Sequence, residues 1–146
     1  MSKEITTTFE YQATPEQVWA VLTDFDAYPE WNPFILSLRG KPEPGARWDV
    51  FLQPPGARGM RFQPLVKVWE SGHTFAWEGS LGFRGLFDGY HMFRLEALGG
   101  GRTRLIHGER FRGILAGLIL RFIRENTRKG FESMNAALAQ RLASQS

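Results

Sequence analysis

The sequence predicts an α+β domain in which a curved antiparallel sheet of about seven strands wraps one long carboxy-terminal helix, in the order β-α-α-β6-α. Three observations predict it. Apolar residues recur at helical spacing from Ile114 to Ala143, at Leu115, Leu118, Phe122, Phe131, Met134, Leu138 and Leu142, writing one stripe along a helix. Residues 34–112 break into short runs of alternating polarity, separated by turns rich in glycine and proline. The connections are too short for crossover helices, so successive strands are antiparallel neighbours. Unbroken, the last helix would run roughly 45 Å at 1.5 Å per residue, against a radius of gyration of about 15 Å for a domain of this length. It must cross the whole domain. Its stripe weakens at Asn126, Thr127 and Gly130, which predicts space beneath the middle of the helix.

The elements follow in chain order. Ile5, Thr7, Phe9 and Tyr11 alternate with polar residues, the period of a half-buried strand. Thr14 then offers an N-cap, Pro15 suits the first helical position and Gln17 completes a capping box, with Val18, Trp19 and Leu22 on the buried face. Asp24 is placed to cap a second short helix that Pro29 and Pro33 cut off. Six strands are expected near Phe34 to Arg39, Arg47 to Gln53, Met60 to Glu70, Thr74 to Gly79, Leu86 to Leu98 and Arg102 to Arg112.

At 146 residues the chain fits one domain, residues 1–146, with a sizeable core. A net charge of +3 selects no partner, and the basic residues alternate along strands without the aromatic interleaving of a nucleic-acid platform. There is no cysteine, hence no disulfide or thiolate chemistry. The stretch Met1 to Glu10 lacks the apolar core of a signal peptide and no run approaches the roughly 20 apolar residues of a membrane span, so a cytoplasmic protein is expected.

Parity within the strands assigns their inner faces. Arg102, Arg104, Arg110 and Arg112 share one side of the last strand, which turns Leu105, His107, Glu109 and Phe111 inward. The preceding strand points Phe87, Gly89, His91, Phe93 and Leu95 inward, with Asp88, Arg94 and Glu96 outside. Trp48, Val50, Leu52, Phe75 and Trp77 also face in, and the parity of Val66, Val68 and Trp69 is ambiguous. Setting Leu98 opposite Arg102 across the triple-glycine turn pairs Leu95 with Leu105, Phe93 with His107 and His91 with Glu109. A histidine opposite a glutamate has two readings: a general acid and base, with His91 and Glu109 as candidate catalytic residues, or a polar pair satisfying itself inside the core. The set His91, His107 and Glu109 also has the composition of a metal facial triad, a reading ranked well below both, and no metal or other cofactor is assigned.

The order of elements, with the words Thr14-Pro15-Glu16-Gln17-Val18-Trp19, Tyr28-Pro29-Glu30-Trp31-Asn32-Pro33-Phe34 and Gly101-Arg102-Thr103-Arg104-Leu105 followed by Glu109-Arg110-Phe111, resembles the SRPBCC superfamily of START-like helix-grip proteins. The likeness is to bacterial members described as polyketide cyclase or lipid-transport-like. It covers nearly the whole chain, and its motifs are specific for fold and unspecific for function. The resemblance implies a deep apolar cavity between sheet and helix. No cluster has the spacing of an iron-sulfur site, so the superfamily's Rieske-linked oxygenase chemistry is absent.

The expected function is binding of a small hydrophobic ligand, aromatic, polyketide-like or lipid, with a cyclase- or dehydratase-like enzyme using His91 and Glu109 as the alternative. Trp48, Val50, Phe75, Trp77, Phe87, Phe93, His107, Phe111, Phe122, Asn126, Gly130 and Met134 are the expected ligand-lining residues. The apolar start of the long helix, Ile114 to Ile123 with Arg121 and Arg124, has three readings: a lid, a dimer contact, or a peripheral membrane dock. The protein is expected to be a monomer or homodimer.

Overall fold

The computed structural model describes residues 3–145. Met1 and Ser2, at the head of the amino-terminal stretch, lie outside the described residues. The chain opens with β1 (Glu4–Tyr11) and α1 (Pro15–Leu22). The capping box closes: the Gln17 N–H donates to the Thr14 hydroxyl at 3.2 Å and the Thr14 N–H to Gln17 Oε1 at 2.8 Å. A 3-10 turn, Phe25–Ala27, and a single α turn, α2 (Tyr28–Trp31), follow. Asp24 does not cap them with its side chain. Its backbone, at φ −81° and ψ 74°, lacks the extended conformation of a capping residue, and its carbonyl accepts from the Ala27 N–H instead.

Eight strands form where about seven are expected. β2 (Ile35–Arg39), β3 (Asp49–Leu52) and β4 (Met60–Phe62) make a three-stranded sheet. β5 (Leu65–Glu70), β6 (Thr74–Ser80), β7 (Asp88–Gly99) and β8 (Arg102–Arg112) join β1 in a five-stranded sheet ordered β1-β8-β7-β6-β5. The run Met60 to Glu70 splits at Pro64, which has no N–H to give a ladder, and the chain passes there from its β3 partner to its β6 partner. The Trp48 N–H donates to the Pro64 carbonyl at 3.0 Å and the Val66 N–H to Ala46 at 2.9 Å, joining the two sheets at that corner. A register shift between Val66 and Val68 explains the ambiguous parity of β5: past the bulge, Trp69 turns toward the same core as the buried Val66.

Between β7 and β8 the pairs Leu95–Leu105, Phe93–His107 and His91–Glu109 face each other. At the turn it is Gly99, not Leu98, that lies opposite Arg102, with a bulge after Ala97 absorbing the extra residue.

The final helix, α3 (Ala116–Ser144), is 29 residues, about 44 Å long. Its buried side runs through Ala116, Leu120, Thr127, Gly130, Phe131, Met134, Asn135 and Leu138. The second half matches the expected stripe and the first half is turned away from it, leaving Leu118 53% and Phe122 79% exposed. The start of the helix sets this phase. Gly113 has φ +121°, and a Cβ there would stand 2.4 Å from the Leu86 carbonyl oxygen. Backbone bonds from Ile114 to Gly85 and Leu115 to Leu86, both 3.0 Å, then tie the helix entry to the 82–86 loop.

The two helical glycines meet opposite surroundings. A Cβ on Gly117 would have nothing within 4 Å, whereas one on Gly130 would stand 2.6 Å from the Phe34 ring. Gly117→Ala is therefore expected to raise the unfolding free energy by about 0.5–1 kcal/mol, through helix propensity. Gly130→Ala is expected to lower it by about 1–3 kcal/mol, through overpacking. Urea denaturation of the two variants checks both signs.

Candidate functional site

The space between sheet and helix is filled at one end and open at the other. α1 and the 3-10 turn push Trp19 and Phe25 inward, where they meet Trp48, Trp69 and Phe75 in edge-on contacts with ring centroids 5.1 to 6.3 Å apart. That aromatic plug closes the half of the interior nearest α1. The other half holds a cavity of about 700 Å³, within the roughly 300–1,000 Å³ of small-molecule pockets. Its walls come from the residues just before β2 and β7 (Phe34, Phe87), the β3–β4 hairpin (Leu52, Arg58, Met60, Arg61, Phe62), β6 and its following loop (Trp77, Leu81), β8 (Phe111) and α3 (Ile123, Thr127). Glu109 is the one carboxylate among them. Asn32 shapes the entry to β2, its Oδ1 accepting from the Phe34 and Ile35 N–H groups at 3.0 and 2.9 Å. A second depression of about 540 Å³, on the outer face of the sheet, is lined largely by charged side chains and holds no buried polar pair.

Behind Glu109 runs a line of buried polar groups. Glu109 Oε1 lies 3.3 Å from His91 Nδ1, and His91 Nε2 lies 2.8 Å from His107 Nε2. His107 Nδ1 is 2.9 Å from Asn135 Oδ1, and the Asn135 Nδ2 amide donates to the Thr7 hydroxyl at 2.9 Å. The Thr7 hydroxyl in turn donates to the His107 carbonyl at 2.9 Å, across the β1–β8 pair that sets them opposite. Both imidazoles are at most 1% exposed. Aromatic rings enclose them: Trp77 stacks on His91 at 4.8 Å, and Phe131 on His107 at 4.2 Å with planes 15° apart.

The directions of these bonds follow from the far end. A backbone carbonyl only accepts, so Thr7 gives its hydrogen there and receives one from Asn135. Asn135 Oδ1 then faces His107, whose Nδ1 must be the donor. Burial, with His91 beside it, holds the His107 pKa well below the usual histidine range, against the opposing bond to Asn135, so the ring is neutral and its Nε2 carries a lone pair. His91 Nε2 therefore donates to it, leaving His91 Nδ1 to face the Glu109 carboxyl.

The expected lining residues divide into four groups. Trp77, Phe87 and Phe111 border the cavity. Trp48, Val50, Phe75, Phe93 and Met134 are buried in the packed core and do not border this cavity. Gly130 does not mark a void, because the Phe34 ring packs against it; His107 lies behind His91. Phe122 and Asn126 face solvent, and Ile123 and Thr127, one position further along, hold the inner place instead. The ring nitrogens of His91 and His107 point at each other, so with Glu109 they do not converge on a common point as a facial triad does. Among the described residues no group of three His, Cys, Asp or Glu could hold a metal ion. Asn135 went unread in sequence, although its place four residues after Phe131 and three before Leu138 marks a polar group on the buried stripe.

Because folded His107 refuses a proton that the unfolded chain accepts, stability falls as pH drops below about 6.5, by at most about 1.4 kcal/mol per pH unit for this one group. Above that pH its full contribution is present. Urea midpoints between pH 7.5 and 5.5 should decline in the parent protein, and His107→Gln should flatten that decline while lowering stability throughout. Equal slopes would refute the assignment.

The profile of the polyketide cyclase / dehydrase and lipid transport family matches residues 2–145. Comparison with proteins of curated function finds no match. Among solved structures, a protein of Thermus thermophilus superposes with a TM-score of 0.75 at 17% identity, covering 98% of this chain and 99% of that one. A START superfamily protein from Mycobacterium smegmatis gives 0.73 at 19% identity, with 98% and 99% covered. A Thalictrum norcoclaurine synthase point mutant, in complex with a transition-state analogue, gives 0.73 at 12% identity, with 99% and 96% covered. The shared fold is the helix grip, and with a family profile matched over almost its entire length, the chain belongs to the polyketide cyclase / dehydrase and lipid transport family.

Proposed function

We propose that this protein binds a small, largely apolar molecule, aromatic or acyl, in the cavity beside Glu109. Family and fold fit a START-like domain that binds hydrophobic ligands. The observation that carries the reading is the cavity itself, about 700 Å³ walled by Phe34, Trp77, Phe87, Phe111 and Ile123, with a single carboxylate set into the wall. A largely apolar wall with a few polar groups, Arg58, Arg61 and Glu109 among them, suits a ligand whose body is driven in by desolvation and whose orientation is fixed by a small number of polar contacts.

A second observation favours loading of that ligand at a membrane surface. Phe83 is 64%, Ile114 80%, Leu118 53% and Phe122 79% exposed. The loop carrying Phe83 and the helix entry carrying Ile114 are held together by the Ile114–Gly85 bond, and Leu81 of the same loop borders the cavity. Exposed Arg84 and Arg121 stand in the same loop and helix, a combination that suits an anionic lipid interface.

Titration with palmitate, menadione and emodin, followed by tryptophan fluorescence, tests the first reading: at least one should bind, and Ile123→Trp should weaken it about tenfold by filling the lumen. Uptake of none would overturn it. Sedimentation with phosphatidylglycerol vesicles tests the second. The parent protein should co-sediment, and joint replacement Phe83→Ser and Phe122→Ser should weaken association about tenfold; a parent protein that stays in the supernatant would overturn the surface-loading reading.

A further inference from the structure

Glu109 is positioned by a glycine on the neighbouring strand. A Cβ built on Gly89, which also borders the cavity, would stand 2.1 Å from Glu109 Oε2. Gly89 occupies an inward position of β7, next to buried His91, where a side chain would ordinarily fill the core. The missing side chain lets the carboxyl lie flat against the strand, with Oε1 on His91 and Oε2 over the glycine. Among the described residues no protein group hydrogen-bonds Oε2, and the Glu109 side chain retains 17% of its exposure at the cavity wall.

The polar line behind it is closed at its inner end. Thr7 donates into a backbone carbonyl, Asn135 and His107 have their hydrogens assigned by that donation, and His91 Nε2 is committed to His107. The line therefore reaches the cavity at one group, the Glu109 carboxyl. Oε1 of that carboxyl is turned to His91 and Oε2, over Gly89, is the oxygen a ligand meets.

We propose that Glu109 Oε2, held over Gly89 and backed by the closed His91–His107–Asn135–Thr7 line, is the polar anchor of the cavity, and that it selects uncharged ligands bearing a hydroxyl, phenol or enol O–H. This rests on the cavity being the ligand site. A ligand O–H donates to Oε2. A ligand carboxylate sets like charge or lone pair against it, and its counter-ions in the lining, Arg58 and the Asp49-paired Arg61, belong to the β3–β4 hairpin rather than to the strands beside Glu109; an ether offers no donor. Gly89 is a positioning residue, acting only through the carboxyl it admits.

Two measurements test the assignment. Long-range proton–nitrogen NMR of the histidine rings at pH 7 should show His107 protonated at Nδ1 and not at Nε2, and His91 protonated at Nε2. A His107 ring protonated at Nε2 would overturn the closed line. Three probes with one skeleton, 2-naphthol, 2-methoxynaphthalene and 2-naphthoate, then report the anchor. The naphthol should bind the parent protein about tenfold more tightly than either of the others, the scale of one charge-assisted hydrogen bond. Gly89→Ala, which keeps the carboxyl and displaces it, should reduce that preference to about twofold, a selective loss of naphthol over ether that general loosening of the fold would not produce. Equal affinities in the parent protein, or a preference unchanged by Gly89→Ala, would overturn the anchor and leave the ligand cavity standing. Failure of all three probes and of the palmitate, menadione and emodin series would overturn both.

Discussion

Asn135 is the buried point at which polar bonds tie the long helix to the sheet. Its side-chain oxygen meets His107, its amide donates to Thr7, and its backbone carbonyl receives the Tyr11 hydroxyl at 2.8 Å. Burial raises the Tyr11 pKa, so the phenol stays a donor. An unpaired amide at a site 1% exposed would be costly, so the two strands that supply these partners, β1 and β8, must lie side by side with Thr7 opposite His107. Apolar burial supplies most of the driving force for folding. These directional contacts specify rotation and height of the helix over the sheet, which apolar contacts alone would leave degenerate.

That fixed placement gives the interior its two unequal halves. Toward the carboxy-terminal end of α3, Phe131, Met134 and Leu138 are fully buried. Toward its start, the helix turns Leu118 and Phe122 outward and leaves Ile123 and Thr127 over the lumen. The aromatic plug from α1 and the 3-10 turn completes the division. The cavity is thus a remainder, the part of the grip that neither the plug nor the helix fills. His91 sits at the boundary, with Phe93 and His107 on the packed side and Glu109 on the open one.

What could be read in the sequence tracks how local the governing interaction is. The capping box of α1, the alternation of β7 and β8, and the pairing of His91 with Glu109 depend on residues near in sequence or on one short turn, and the structure has each of them. The split at Pro64, the bulge between Val66 and Val68, and the phase of the first half of α3 depend on partners far along the chain. A helix start that is apolar nearly all round carries no periodic signal, so its rotation came from the 82–86 loop and could not be read in advance. The same holds for the lining: inward parity distinguishes core from surface, but whether an inward residue meets a lumen or a plug depends on where Trp19 and Phe25 reach. Gly89 carried a signal, an inward glycine in a strand, whose meaning needed the glutamate beside it.

The bonds joining the 82–86 loop to the entry of α3 also bear on how the cavity can be reached. Leu81 and Gly82 border the lumen, while Gly85 and Leu86 accept from the first two amides beyond Gly113. Loop and helix entry are therefore mechanically a single piece. Drawing the loop outward either breaks two backbone bonds or carries the first turn of the helix with it, using Gly113 as the pivot. The far half of the helix, pinned at Asn135, is the fixed arm of that lever. The loop and the first turn of α3 thus form one wall on this side, and the next turns are held to β1 where Arg124 donates to the Glu4 carbonyl at 2.8 Å.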